Sequence, residues 1–237
     1  MKINGTDVAE YGVKQWNVTP AYAEIGNESE WITGAVSPVL LKSTIGFKKI
    51  KVSVMVSGDS RQEIWERAGK FVSLLLTPSR IQLDGFSHSF YMYLSNVSQV
   101  ETCLQRFHKA TLELIGFEYG EEVESSSQTG TLEIHNTGTI LTPAVVEIVP
   151  VINLASLTLT GLVRDNQAGE EKNIVLSNLK NGKKILIDGE SGLVTEDGAN
   201  KFADVEMWDF PTLIPGDNTI TVDKDVSLTI RHKPRFL

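Results

Sequence analysis

From Phe47 to Val56 the chain alternates residue by residue. Ile50, Val52, Val54 and Val56 fall on one side of an extended backbone and Lys49, Lys51, Ser53 and Met55 on the other. A period of two predicts a strand with one dry and one wet face. The period then changes. Ser60-Arg61-Gln62-Glu63 has the form of a capping box, in which a Ser hydroxyl and a Glu carboxylate satisfy the free N–H groups of a helix start. The spacing predicts a helix from Arg61 to about Leu75, with Ile64, Ala68, Phe71, Val72 and Leu75 on its buried stripe. Arg61, Gln62, Glu66 and Lys70 face water, and Thr77-Pro78 ends the helix.

Strand patterns return through Ile81 and Leu83, the Asp84-Gly85 turn, Phe90 to Leu94, and Ala110 to Tyr119, which predicts an antiparallel sheet carrying one helix. Phe86, Phe90, Tyr91 and Tyr93 surround His88, an arrangement better explained by packing than by ligand binding. Ahead of this sheet, Ile3, Val13, Trp16 and Val18 mark short extended pieces ending at Pro20. Tyr22 to Ile45 is polar and Gly/Ser-rich, and reads as a long loop or extended hairpin. Tyr22, Trp31, Leu40 and Leu41 are out of place in such a segment unless it is buried on a partner chain, so these four are the candidate interface residues.

Glu121 to Thr129 is polar without apolar periodicity and places a domain boundary near residue 124, giving domains 1–124 and 125–237. Beyond it, short strand patterns recur at Thr131–His135, Ala144–Val149, Leu157–Gly161, Ile174–Leu179 and Ser227–Arg231, with Gly, Asn and Pro turns and no helical period. That predicts a β-sandwich. Between Lys183 and Val222 the punctuation is densest. Asp188-Gly189 and Asp197-Gly198 suit tight hairpins because both residue types tolerate positive φ, and Phe210-Pro211 blocks a helix. Pro215-Gly216 has the residues of a type II turn. Trp208, between Met207 and Phe210, is expected in the core.

Composition narrows the chemistry. The 22 basic against 30 acidic residues give a net charge of −8, against the basic footprint of a nucleic-acid binder. Cys103 is the single cysteine, so no intrachain disulfide forms, and a buried structural thiol is expected. The four histidines, His88, His108, His135 and His232, form no metal-ligand spacing, and Cys103 with His108 has no framework for nucleophilic catalysis. Phosphate-cradling glycine motifs are missing, and the carboxylate pairs Glu121-Glu122, Glu170-Glu171 and Asp223-Asp225 sit in polar or turn segments. No cofactor, metal, catalytic group, apolar leader or membrane span is expected, so synthesis is placed in a cytoplasm. A binding role remains open, with Tyr22, Trp31 and Trp208 as possible glycan platforms.

The ordered series Ile187, Asp188, Gly189, Asp197, Gly198, Trp208, Phe210, Pro211, Leu213, Pro215, Gly216 and Asn218 resembles the C-terminal domain of siphophage distal tail proteins. The N-terminal half is similar to that family in its single helix and in a strand ending Gly116-Phe117-Glu118-Tyr119. The resemblance implies a mainly β, two-domain, non-enzymatic virion protein of the phage tail tip, synthesised in the bacterial host. Its N-terminal domains would form a homo-hexameric ring joining the tail tube protein to the tail-associated protein, baseplate and receptor-binding proteins. Galectin-like C-terminal sandwiches would lie outside that ring. It also implies that Tyr22 to Ile45 is a subunit-contact arm. The alternative is a stand-alone carbohydrate-binding sandwich.

Overall fold

A computed structural model of the chain describes residues 1–34, 36–98, 101–104, 106–128, 130–164 and 170–237, with side chains for all of these except 101–104. The chain divides into two units, Met1–Tyr119 and Gly120–Phe236.

The first unit runs β1 (Lys2–Ile3), β2 (Thr6–Asp7), β3 (Val13–Thr19), β4 (Ile25–Glu30), β5 (Val39–Ile45), β6 (Lys48–Ser57), α1 (Arg61–Ser73), β7 (Ser79–Gln82), β8 (Ser89–Val97), β9 (Glu101–Leu104) and β10 (Phe107–Tyr119). Its main sheet has the order β2-β1-β7-β8-β10-β6-β3, with β9 also on β10, and all the described pairings are antiparallel. The alternation in β6 does what it predicts: Ile50, Val52, Val54 and Val56 are buried, while the residues between them face outward. α1 begins at the predicted cap, where Ser60 Oγ accepts from the Glu63 N–H at 3.2 Å. The reciprocal bond is displaced by one residue, because Glu63 Oε2 accepts from Asp59 N–H rather than Ser60 N–H. The helix lays Ile64 and Phe71 on the sheet, and Leu75 follows them into the same core.

β10 is the strand that the sheet is built around. It pairs with β6 from Phe107↔Ser57 to Gly116↔Lys48 and with β8 on its other side. At Gly116 a Cβ would lie 2.0 Å from the Tyr91 carbonyl oxygen, so glycine is required there by backbone approach. β4 and β5 pair only with each other, forming a separate hairpin in which every residue is exposed.

The second unit contains β11 (Val123–Ser127), β12 (Thr131–Asn136), β13 (Thr142–Pro150), β14 (Leu154–Arg164), β15 (Glu171–Leu179), β16 (Ile185–Asp188), β17 (Leu193–Glu196), β18 (Ala199–Asn200), β19 (Val205–Glu206), β20 (Thr212–Leu213), β21 (Gly216–Val222) and β22 (Val226–His232). One sheet has the order β11-β22-β13-β16-β17-β18, with β20 on β13, and the other has the order β12-β21-β14-β15-β19. Their inner faces share one core that includes Val146, Ile148, Leu157, Leu176, Ile187, Ile220 and Ile230, which makes the unit a β-sandwich. The polar run at the boundary is not a free linker. Val123 to Ser127 pair with β22 from His232 to Leu228, their polarity reflecting an exposed edge.

The turn motifs serve three different purposes. Asp197 (φ 48°) and Gly198 (φ 84°) both adopt positive φ between β17 and β18, as a two-residue hairpin requires. Gly216 has φ 86°, the value its place after Pro215 predicts. Asp188-Gly189 departs from expectation, because neither residue has positive φ and the turn to β17 takes it at Gly192 (φ 70°) instead. Asp188 acts through its side chain, accepting from the Glu190 and Ser191 N–H groups at 2.8 and 3.1 Å and from Ser191 Oγ at 2.6 Å. Gly189 is a crossing point: a Cβ there would lie 2.4 Å from the Pro211 carbonyl oxygen and 2.8 Å from that of Ala144. The same atoms carry the Gly189 N–H to Ala144 O and Ala144 N–H to Pro211 O bonds, which tie β13 to both neighbouring segments.

Gly189→Ala should therefore cost about 3 kcal/mol, at the upper end of overpacking substitutions, because two carbonyls must move. Gly198→Ala, where the added methyl meets nothing within 4 Å, should cost only about 1 kcal/mol of backbone strain. Urea denaturation of the two variants checks the ranking.

Candidate functional site

The described residues hold no cluster of three or more His, Cys, Asp or Glu side chains fit to bind a metal ion, and no helix among them is long and apolar enough to cross a membrane. Each of the carboxylate pairs has at least one member held by a structural partner. Glu122 meets Lys233 at 3.6 Å, Glu170 meets Lys172 at 2.9 Å, and Glu171 meets Arg164 at 3.0 Å. Asp223 accepts from the Thr158 N–H at 2.8 Å. His108 lies on β10 opposite Val56 and is buried with neither ring nitrogen hydrogen-bonded. The Cys103 side chain, read as a buried thiol, lies outside the described residues. His135 pairs with Asp217 at 2.6 Å on an exposed surface. His232 is buried on the core side of β22 without a hydrogen-bond partner, and burial lowers its pKa, which favours the neutral imidazole.

The histidine among the aromatics is part of an ion-pair group. His88 Nδ1 lies 2.7 Å from Glu118 Oε1, and the other carboxylate oxygen accepts from the Lys48 ammonium, which is itself buried. Burial pushes the Glu118 carboxyl up, but hydrogen bonds from Lys48 and His88 more than offset this and hold it below the ordinary value of 4.5. The group joins the ends of β6, the β7–β8 turn and β10. In the second unit Lys201 plays a comparable part, donating to Asn178 O at 3.0 Å and to Asp204 Oδ2 at 3.1 Å.

The exposed apolar surface is the remaining functional feature, and it is concentrated. The hairpin of β4 and β5 with its flanks presents Tyr22 (83% exposed), Trp31 (65%), Leu40 (59%) and Leu41 (62%), together with Ile25, Ile32, Val36 and Ile45. The register places Ile25 opposite Ile45 and Glu28 opposite Lys42, and a bulge leaves Leu41 unpaired beside Leu40. The four residues singled out from sequence thus share one projecting element. An isolated hairpin of this kind is marginally stable in water.

Trp208 is not in the core. It is 69% exposed, because β19 ends at Glu206 and the chain turns so that Met207 and Phe210, on either side, pack against the core instead. Phe202, also exposed, lies 6.2 Å from Phe210 between ring centroids. Of the other motif residues, Pro211 is buried beside Ala144, and Asp188, Gly189, Asp197, Gly198, Pro215 and Gly216 all shape turns or crossings. Sequence reasoning did not single out Trp65, which is 62% exposed on α1. Its signal was its place outside the stripe of Ile64, Ala68 and Phe71.

Residues 137–236 match the family model described as the siphovirus-type tail component, C-terminal domain. The fold resembles that of the Dit (gp 19.1) protein of phage SPP1, a structure presented as a paradigm of hub adsorption apparatus in phages infecting Gram-positive hosts. The TM-score is 0.78 at 19% identity, covering 99% of this chain and 98% of that one. A chain of the phage P2 baseplate in its activated conformation with Ca is similar with a TM-score of 0.51 at 15% identity, over 98% of this chain and 94% of that one. No curated protein sequence matches the chain.

Glu118→Gln should leave the buried Lys48 ammonium without its counter-charge and destabilise the first unit by about 3 kcal/mol. In the unaltered chain the folded-state carboxyl titrates below the ordinary value of 4.5. The stabilisation is therefore complete above that value and is lost as pH falls through the folded pKa. Urea midpoints measured from pH 7 down to pH 3 should fall along this limb, and the limb should be shallower in the variant.

Proposed function

We propose that this chain, whose residues 137–236 match the family model of the siphovirus-type tail component C-terminal domain, is a structural hub protein of a phage tail tip. The observation that carries this reading is likeness along the whole chain, both units included, to a phage hub protein at a TM-score of 0.78.

In this reading the first units of six copies close a ring in the virion, between the tail tube protein and the tail-associated protein and baseplate. The second units lie outside, within reach of receptor-binding proteins. The hairpin of β4 and β5 is the subunit-contact arm. A lone chain leaves its apolar side chains in water, whereas a ring interface burying on the order of 1,000 Å² covers them.

Native mass measured across a concentration series, followed by electron microscopy of the largest species, should show a six-membered ring with a central channel. Replacing Trp31, Leu40 and Leu41 together by Ser should abolish that ring. Stability of the single chain should change by less than about 0.5 kcal/mol, since these side chains touch little in it. Ring formation by the triple variant would remove the arm from the interface.

One observation favours a second reading, a carbohydrate-binding role for the sandwich: Trp208 stands out of the surface, 69% exposed, two residues before Phe210. An exposed tryptophan face can stack on a sugar ring. Pull-down of the full chain on host cell wall should then be lost in Trp208→Ala without any change in native mass. Equal retention of both proteins would leave the hub reading alone.

A further inference from the structure

Helix α1 carries on its outer side an exposed stripe, bounded by Trp65 and by Leu76 just past its end, that the first unit does not use. Ile64 and Phe71 face the sheet. On the outer side Trp65 is 62% exposed, and Leu76, just beyond the last turn, is 66% exposed. Between them lie exposed Gly69 and Ser73, four and eight residues after Trp65 and so on the same face.

Gly69 is the unusual member of the stripe. Only proline is less favourable than glycine inside a helix. The backbone does not require it, since Gly69 is not among the glycines with positive φ, and packing does not require it, since a Cβ there would meet nothing within 4 Å. Within one chain, then, a hollow between a tryptophan and a leucine has a cost and no return. A hollow on an apolar stripe does permit close approach by a second backbone.

The arm has the features such a hollow would accept. Its bulge sets Leu40 and Leu41 side by side, both largely exposed. Charge agrees as well. Glu28 and Glu30 on β4 form no ion pair among the described residues, and neither do Arg61 and Lys70, which flank the stripe. Of the acids near the stripe, Glu63 is paired with Arg67 at 2.6 Å, while Glu66 accepts from the neutral Gln62 amide at 2.9 Å and keeps its charge, so Arg61 and Lys70 leave the stripe with one positive charge in excess.

We propose that the arm of one copy docks on the Trp65, Gly69 and Leu76 stripe of a second copy, with the Leu40-Leu41 bulge over Gly69. This rests on the reading of the arm as a subunit contact and names the surface that receives it. The two surfaces differ, so the contact runs head to tail and can close into a ring.

The test uses the full chain. Association is measured by sedimentation over a concentration series for the unaltered protein, Gly69→Ala, Gly69→Leu, Leu40→Ser and the Gly69→Leu/Leu40→Ser double variant. Gly69→Ala should raise the melting temperature of the single chain by about 3 °C while weakening association. Gly69→Leu and Leu40→Ser should each weaken association about tenfold or more. The double variant should be little worse than the weaker single one, because both changes remove one contact. If Gly69→Leu associates as the unaltered chain does while Leu40→Ser is impaired, the docking site is overturned and the arm keeps its role. If neither change matters, or if the unaltered chain never associates, both ideas are overturned.

Discussion

The first unit depends on β10 lying between two partners in close register. Its inward residues, Ala110, Leu112 and Leu114, share a face with Ile50, Val52 and Val54 on β6 and with Phe90 and Met92 on β8. That combined face is what α1 covers. A one-residue slip of β10 would turn the apolar set outward, so register and core are a single constraint. Gly116 fixes the register from the backbone side, since no larger residue fits against Tyr91. The Lys48, Glu118 and His88 group fixes it at the strand ends. A buried ion pair of this kind adds little net stability over apolar packing, but mispairing would strand a charge.

The sandwich solves the same problem with backbone crossings. Ala144, at the start of β13, donates to Pro211 O and accepts from the Gly189 N–H, which brings three segments distant in sequence within hydrogen-bond reach. Only glycine leaves room for this at position 189. The same logic recurs at Gly161, which has φ 92° where the register of β14 shifts and where a Cβ would lie 2.2 Å from Thr219 O. In both units, therefore, glycines placed by close backbone contact determine how strands meet, and the apolar alternation determines which way they face.

This division explains what could be read from the sequence. Alternation in β6, the stripe and cap of α1, and the many short strands of the second half were legible because each depends on local period or local hydrogen bonds. So were the turns at Asp197-Gly198 and Pro215-Gly216, whose dihedrals follow from residue type. Asp188-Gly189 was legible as punctuation but not in its reason, since the need for glycine comes from Pro211 and Ala144, residues far along the chain. Trp208 misled for a related cause. Its neighbours Met207 and Phe210 are the ones that pack inward, and a strand ending at Glu206 removes the alternation that would have placed it. The hairpin of β4 and β5 was only half legible because it packs on nothing within the chain, so no amphipathic period had to be kept.

That last property separates the arm from every other strand pair described. Elsewhere each described strand pair belongs to a sheet with one face on a core, even where single residues such as Trp16 and Leu193 are exposed on the other face, whereas every strand residue of the arm is exposed. A folded chain has no internal reason to retain Trp31, Leu40 and Leu41 there, since polar residues would make as good a ribbon and a more soluble one. The free energy that burial would supply is left unrealised in the single chain and is available only to a contact between chains. If the arm docks as proposed, order in the arm and assembly are one equilibrium, because the docking surface is also the layer that the ribbon lacks in the single chain. On the proposed reading of the arm, this uncovered surface is the part of the chain that a neighbouring copy completes.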